Sequence, residues 1–242
     1  MIALLLTLAV QEDVADVPSA ERVAAKDPKK QYLLIGPAKD VEPPAKGYGL
    51  VLVLPGGDGG AAFQPFVKRI WKNAAAKDVL FAQLRAVEWT PGQFNLVVWP
   101  TEASRVTGMK FTTEAFARSV VEEVGTLHRI DPERTFVMGW SSGGPPAYAI
   151  TMSKPRFTAG ALVAMSVFRE LGLDLAAAKD QAYWIYHSKE DKICPLALAE
   201  KAKASLDKAG ARTELLLYEG GHGWTGPTFR DLKTGFAWLN KK

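Results

Sequence analysis

The stretch FVMGWSSGGPP, residues 136–146, ends an apolar run in two adjacent serines set among glycines. A flexible linker does not begin with FVM, and a helix interior does not tolerate so many breakers. Residues Gly139-Trp140-Ser141-Ser142-Gly143 form the pattern G-x-S-x-G. Chance would produce it in roughly one chain in fifteen of this composition, so its setting decides. Here an apolar strand precedes it and a helix follows. A very tight strand-to-helix turn holds a serine in a strained backbone conformation with its hydroxyl exposed. Side chains two positions before and after would collide unless tiny. Ser141 has Gly139 and Gly143 at those positions, whereas Ser142 would have Trp140 at the first. Ser141 is therefore the expected nucleophile, against the plainer reading of a serine that caps a helix. Pro145 and Pro146 fall in the first helical turn, where no N–H partner is lost.

Outward from this turn, short apolar runs alternate with helical patterns. Strands are expected at QYLLI (31–35), YGLVLVL (48–54), VLFAQLRA (79–86), NLVVW (95–99), RTFVMGW (134–140), ALVAMS (161–166), YWIYH (183–187) and TELLLYE (213–219). Helices are expected over 61–76, over 113–128, from the elbow to about Ser153, from Pro195 to Gly210, and over 228–241. Nearly continuous apolar strands mean burial on both faces, as in a parallel sheet covered by helices. The expected fold is one α/β domain, with a mostly parallel sheet and helices on both faces. Its 242 residues show neither repeat nor linker.

A serine hydroxyl needs a base, and the base needs an orienting acid. Downstream of Ser141 stand only His187 and His222. His187 ends a strand, where packing is its commoner role. His222, in YEGGHGW, follows the last strand, and flanking glycines let that loop carry an imidazole over the sheet edge. YWIYHSKEDKICP offers Glu190 and Asp191. Asp191, four residues past the strand and four before Pro195, is suited to reach His222, and Glu190 reads as a solvated surface charge. The glycines of LVLPGGDGG (52–60) leave backbone N–H groups open for an oxyanion. The expected donors are the N–H groups of Gly57 and Ser142. Trp140 and Trp224 adjoin nucleophile and base, so an aromatic wall at the substrate is one reading and core packing the other.

Composition excludes several classes. Net charge is +4, and the tightest basic runs are Lys29-Lys30 and Lys241-Lys242, too short for a nucleic-acid footprint. Cys194 is the only cysteine, which rules out an internal disulfide. No histidine spacing is that of a metal ligand set. MIALLLTLAV at 1–10 is far short of the roughly 20 apolar residues that span a bilayer. It has the apolar character of an export signal, with Thr7 and Ala9 before a cut, but no basic residues ahead of it. The expectation is an exported protein, the alternative being a cytoplasmic one whose first residues are a mispredicted start or a frayed end, with a signal-like segment at 1–10, a loose lead-in at 11–30 and the folded domain at 31–242.

Together, IDPERTFVMGWSSGG (130–144), HSKEDKICP (187–195), GGHGW (220–224) and LPGGDGG (54–60) resemble the α/β-hydrolase superfamily. Within it, the chain resembles the carboxylesterase and polyhydroxyalkanoate-depolymerase-like esterase branch, over about residues 31–240. One departure is Pro55-Gly56, where that branch usually carries His-Gly. The resemblance implies a serine hydrolase acting on a small-molecule or polymeric ester through Ser141, His222 and Asp191, with no cofactor. Peptidase or thioesterase activity on the same fold is the alternative, as is a non-catalytic binding module. A nucleotide-binding oxidoreductase is a weaker rival. Gly57-Asp58-Gly59-Gly60-Ala61-Ala62 fits G-x-G-x-x-A, yet no acidic residue ends a second strand where the ribose would need it, and Asp78 precedes its strand.

Overall fold

The structure, a computed structural model, describes residues 13–241. The signal-like run at 1–10 lies outside the described residues. Eight strands form one sheet: β1 (Ser19–Val23), β2 (Gln31–Ile35), β3 (Tyr48–Leu54), β4 (Val79–Leu84), β5 (Ile130–Trp140), β6 (Gly160–Ala164), β7 (Ala182–Ser188) and β8 (Arg212–Tyr218). Their spatial order is β1-β2-β4-β3-β5-β6-β7-β8. The pairs β1–β2 and β2–β4 are antiparallel and the remaining pairs parallel. The sheet is mostly parallel, as expected from its apolar strands.

Side-chain alternation sorts the core into two layers. In β3, Leu50, Leu52 and Leu54 point to one face, while Val51 and Val53 point to the other. The first face is covered by helices α2 (Thr113–Leu127), α3 (Gly144–Thr151) and α4 (Leu196–Lys208). The second is covered by α1 (Gln64–Ala74) and α5 (Thr228–Leu239). Every residue of β3 is buried. No helix among the described residues is long and apolar enough to cross a membrane.

Two expectations are corrected. The lead-in at 11–30 is not loose throughout, because Ser19–Val23 pairs along the whole of β2. Its sequence SAERV hides this, since an edge strand contributes its backbone to the sheet while its side chains stay in solvent. Conversely, NLVVW (95–99) is not a strand. The place beside β4 that a further parallel strand would need is taken by β2. Val98 and Trp99 bury themselves as a loop instead, and the Trp99 indole donates to the Pro55 carbonyl at 3.1 Å. That run supports the glycine loop after β3 rather than extending the sheet.

Leu52, fully buried at the centre of β3, tests the two-layer core. Leu52→Ala is expected to lower the unfolding free energy by about 2–5 kcal/mol, with an unchanged denaturant slope. Urea unfolding checks this, and a loss within experimental error contradicts the central placement.

Candidate active site

Ser141, Ser142, Asp191, His222 and Gly57 all follow the carboxyl ends of parallel strands, the edge where open α/β sheets place their ligands. Ser141 follows β5 directly and adopts φ 51°, a left-handed conformation costly for a residue with a side chain. The glycines around it are obligatory. A Cβ on Gly139 would sit 2.2 Å from the carbonyl oxygen of Gly143. A Cβ on Gly143 would sit 2.0 Å from the carbonyl oxygen of Leu54, at the end of β3. The turn is thus squeezed against the neighbouring strand as well as against itself. Ser166, just after β6, donates to the Ser141 carbonyl at 2.6 Å and ties a third strand end to it.

His222 Nε2 lies 3.0 Å from Ser141 Oγ, and its Nδ1 lies 2.8 Å from Asp191 Oδ2. A carboxylate only accepts, so Nδ1 carries the proton. That leaves the Nε2 lone pair of the neutral ring free to accept the Ser141 hydroxyl proton. The other Asp191 oxygen accepts the N–H groups of Ile193 at 2.9 Å and Cys194 at 2.8 Å. Burial by itself would push the Asp191 carboxyl up. The N–H of Cys194, the His222 ring and the N–H of Ile193 outweigh it and hold the group below the usual carboxylate value.

Asp191, Cys194 and His222 also bring their ligand-type atoms within 4.8 Å of one another. Both oxygens of Asp191 are taken by N–H donors, and burial pushes the Cys194 thiol up to about 11. That is the donor set of a carboxylate orienting an imidazole, not of an open metal site.

Glu190 and Ser188 are the residues that sequence reasoning missed. Glu190 is exposed, as expected of a surface charge, but it also accepts the N–H of Gly220 at 2.7 Å and the Ser188 hydroxyl at 3.0 Å. The Gly220 N–H and the Ser188 hydroxyl hold its carboxyl below the ordinary value. Ser188 Oγ in turn accepts the N–H of Gly221 at 3.0 Å. The two side chains therefore pin the loop that carries His222. Gly220 and Gly221 both have positive φ, as their place in that loop requires. No local pattern marks such a role, because the partners stand some thirty residues apart (|i−j| of 30 and 33). His187 packs as expected: its Nε2 donates to the Cys194 carbonyl at 2.7 Å and shapes the loop bearing Asp191.

Gly57 and Ser142 border the same cleft as Ser141, and the Ser142 hydroxyl donates to the Gly57 carbonyl at 2.9 Å. Gly57 has φ 60°, and among the described residues no acceptor takes its N–H. The aromatic wall expected from Trp140 and Trp224 is not found on this cleft. Trp140 shares a strand face with Phe136 and Met138 and is 2% exposed. It packs edge-on against Phe63 and Trp224 at 5.4 and 5.6 Å, beneath the site. The period-2 rule sends it there, since the residue before the turn belongs to the α1/α5 layer.

The cleft itself has a volume of about 570 Å³. Its mouth carries Leu96, Leu171 and Ile193, which are 89%, 91% and 70% exposed. These are the three most exposed large apolar side chains among the described residues, gathered at one opening.

The profile of the Phospholipase/Carboxylesterase family matches residues 71–238, which include Ser141, Asp191 and His222 but not the glycine loop after β3. No curated protein matches the chain. Among solved structures, a carboxylesterase from Mesorhizobium loti is similar with a TM-score of 0.67 and 14% identity, over 92% of this chain and 99% of that one. The Bacillus cereus carboxylesterase is similar with a TM-score of 0.59 and 16% identity, over 96% and 97%. An acylaminoacyl peptidase from Pyrococcus horikoshii has a TM-score of 0.69 and 14% identity. It is covered over 98% of this chain but only 43% of its own, so the chain spans less than half of that peptidase. At such identities the likeness is one of fold.

The depressed Asp191 carboxyl has a consequence for stability. A folded-state value below the unfolded one of about 3.9 means that ionised Asp191 stabilises the fold above about pH 4. That contribution is lost as pH falls through the folded value. Wild type is therefore expected to exceed Asp191→Asn in unfolding free energy near neutral pH, with the gap narrowing below about pH 4. Urea unfolding across pH checks this, and a gap that stays constant or widens on acidification contradicts it.

Proposed function

The chain belongs to the phospholipase/carboxylesterase family of the α/β-hydrolase superfamily, and from that premise we propose that it hydrolyses a carboxylic ester through an acyl-enzyme on Ser141. The observation that carries the reading is the unbroken relay from Ser141 Oγ through His222 to Asp191, at 3.0 and 2.8 Å, on a serine held at φ 51°. Strain of this kind is kept only where surrounding structure over-determines it, and it clusters at sites of chemistry.

In the proposed sequence, Ser141 Oγ attacks the ester carbonyl carbon while His222 Nε2 takes the hydroxyl proton. Asp191 holds the ring and stabilises its charged form. The carbonyl oxygen becomes an oxyanion and accepts hydrogen bonds from the N–H groups of Gly57 and Ser142. One such donor contributes on the order of 10²–10³ in rate. As the tetrahedral intermediate collapses, His222 returns the proton to the leaving alcohol. Water then attacks the acyl-enzyme by the same route in reverse. The sequence calls on no metal and no organic cofactor. The apolar mouth formed by Leu96, Leu171 and Ile193 suits the hydrocarbon part of an acyl or alcohol group.

Ser141→Ala is expected to lower kcat on a nitrophenyl ester by on the order of 10⁶. A fluorophosphonate should label wild type at Ser141 and leave the variant unlabelled, as read by intact mass and peptide mapping. Wild-type turnover in the variant, or labelling at a different residue, overturns the reading.

A further inference from the structure

The side chains that border the cleft are apolar or neutral apart from one, Arg169. Arg85 and Arg134 are paired with carboxylates, and Arg156 and Arg212 donate to backbone carbonyls. Arg169 is exposed, and among the described residues neither a carboxylate nor a carbonyl takes its guanidinium. A guanidinium on the rim of this cleft that no group of the fold engages is available to an anion bound there.

Its backbone is not free to wander. Met165 donates its N–H to the Tyr186 carbonyl at 2.8 Å, and Ser166 is bound to the carbonyl of Ser141 itself. Phe168 is 3% exposed and packs edge-on to Tyr148 at 4.9 Å. On the other side, the Glu170 carboxylate accepts the Ser205 hydroxyl at 2.5 Å and faces Lys201 at 3.8 Å. Arg169 thus stands between two anchored neighbours, on a segment tied to the nucleophile's own turn. Its side chain is flexible while its root is fixed, which suits a group that closes on a ligand.

We propose that Arg169 is a specificity-determining residue, and that the substrate is an ester carrying a second, anionic group, a carboxylate or a phosphate, held by this guanidinium while the ester lies at Ser141. This rests on the reading of Ser141 as the acylated residue. Arg presents a planar fork of donors matched to either oxyanion. The apolar lining takes the carbon chain between ester and anion.

The test compares matched ester pairs. Mono-4-nitrophenyl glutarate is set against 4-nitrophenyl pentanoate for the carboxylate, and butyryl-glycerol 3-phosphate against butyryl-glycerol for the phosphate. In wild type, kcat/KM should favour the anionic member of at least one pair, and the pair favoured identifies the oxyanion. In Arg169→Gln that preference should fall about 10- to 100-fold, mostly through KM, and Arg169→Lys should restore part of it. Added salt should shrink the preference in wild type and leave it nearly unchanged in Arg169→Gln. Turnover of the neutral esters reports in each variant that the fold and the Ser141 chemistry are intact. A preference unchanged in Arg169→Gln, or no anionic preference in wild type, overturns the role of Arg169 and leaves the ester-hydrolase reading standing. Loss of Ser141-dependence on the neutral esters would instead overturn that earlier reading.

Discussion

The turn at Ser141 is the point where the structure has least freedom. Two carbonyl oxygens, those of Gly143 and Leu54, occupy the space that a methyl group on Gly139 or Gly143 would need. The backbone must therefore pass close to itself and close to β3 at once. That crowding forces the left-handed conformation of the residue between, and the conformation lifts its side chain above the sheet edge. The elements around the turn act to hold it. Leu54 pairs with Gly139 in the parallel register of β3 and β5, and Trp140 pairs with Ala164 in that of β5 and β6. Ser166 then binds the carbonyl of Ser141 from the far side. A strained residue persists only when its neighbours outvote it, and here three strand ends do so.

The same edge gathers the groups that meet the serine. Parallel strands all present their carboxyl ends to one side, so loops distant in sequence become neighbours. The loops after β7 and β8 are joined by more than the contact between Asp191 and His222. Glu190 and Ser188 bind the backbone of Gly220 and Gly221, so the imidazole's position is set through two further side chains as well as through its own bonds. Asp191 is likewise held by two backbone N–H groups before it reaches the ring. The hydrogen bond to the serine is the last link in a chain of short, mostly part-buried bonds.

On the oxyanion side, the loop after β3 is steadied by a segment that the strand pattern misrepresents. Trp99 binds Pro55 and packs so near Gly59 that a Cβ there would come within 2.7 Å of the ring. The same segment places Leu96 at the cleft mouth. One apolar run thus serves both the loop's shape and the cleft's surface. By contrast, the tryptophans beside the serine and histidine serve the core below. Adjacency in sequence to a reactive residue says little about adjacency to its ligand, because in a strand neighbouring side chains point to opposite faces.

Much of the fold was legible in residue order alone. Buried parallel strands announce themselves as unbroken apolar runs, and seven of the eight strands lie where such runs fall. The choice of Ser141 over Ser142 was legible too, since it turns on residues two places away and on hard-sphere contact. The strand at 19–23 was not, because it donates its backbone and leaves polar side chains in water, so hydropathy carries no trace of it. Nor was the failure of 95–99 to join the sheet, which depends on β2 having taken the place beside β4. The positioning roles of Ser188 and Glu190, the core location of Trp140 and the lone guanidinium of Arg169 in an apolar cleft were likewise decided by tertiary structure. Each depends on which strand ends the sheet order makes neighbours, and that order is a property of the whole chain's packing, whereas the serine's turn is a property of five consecutive residues.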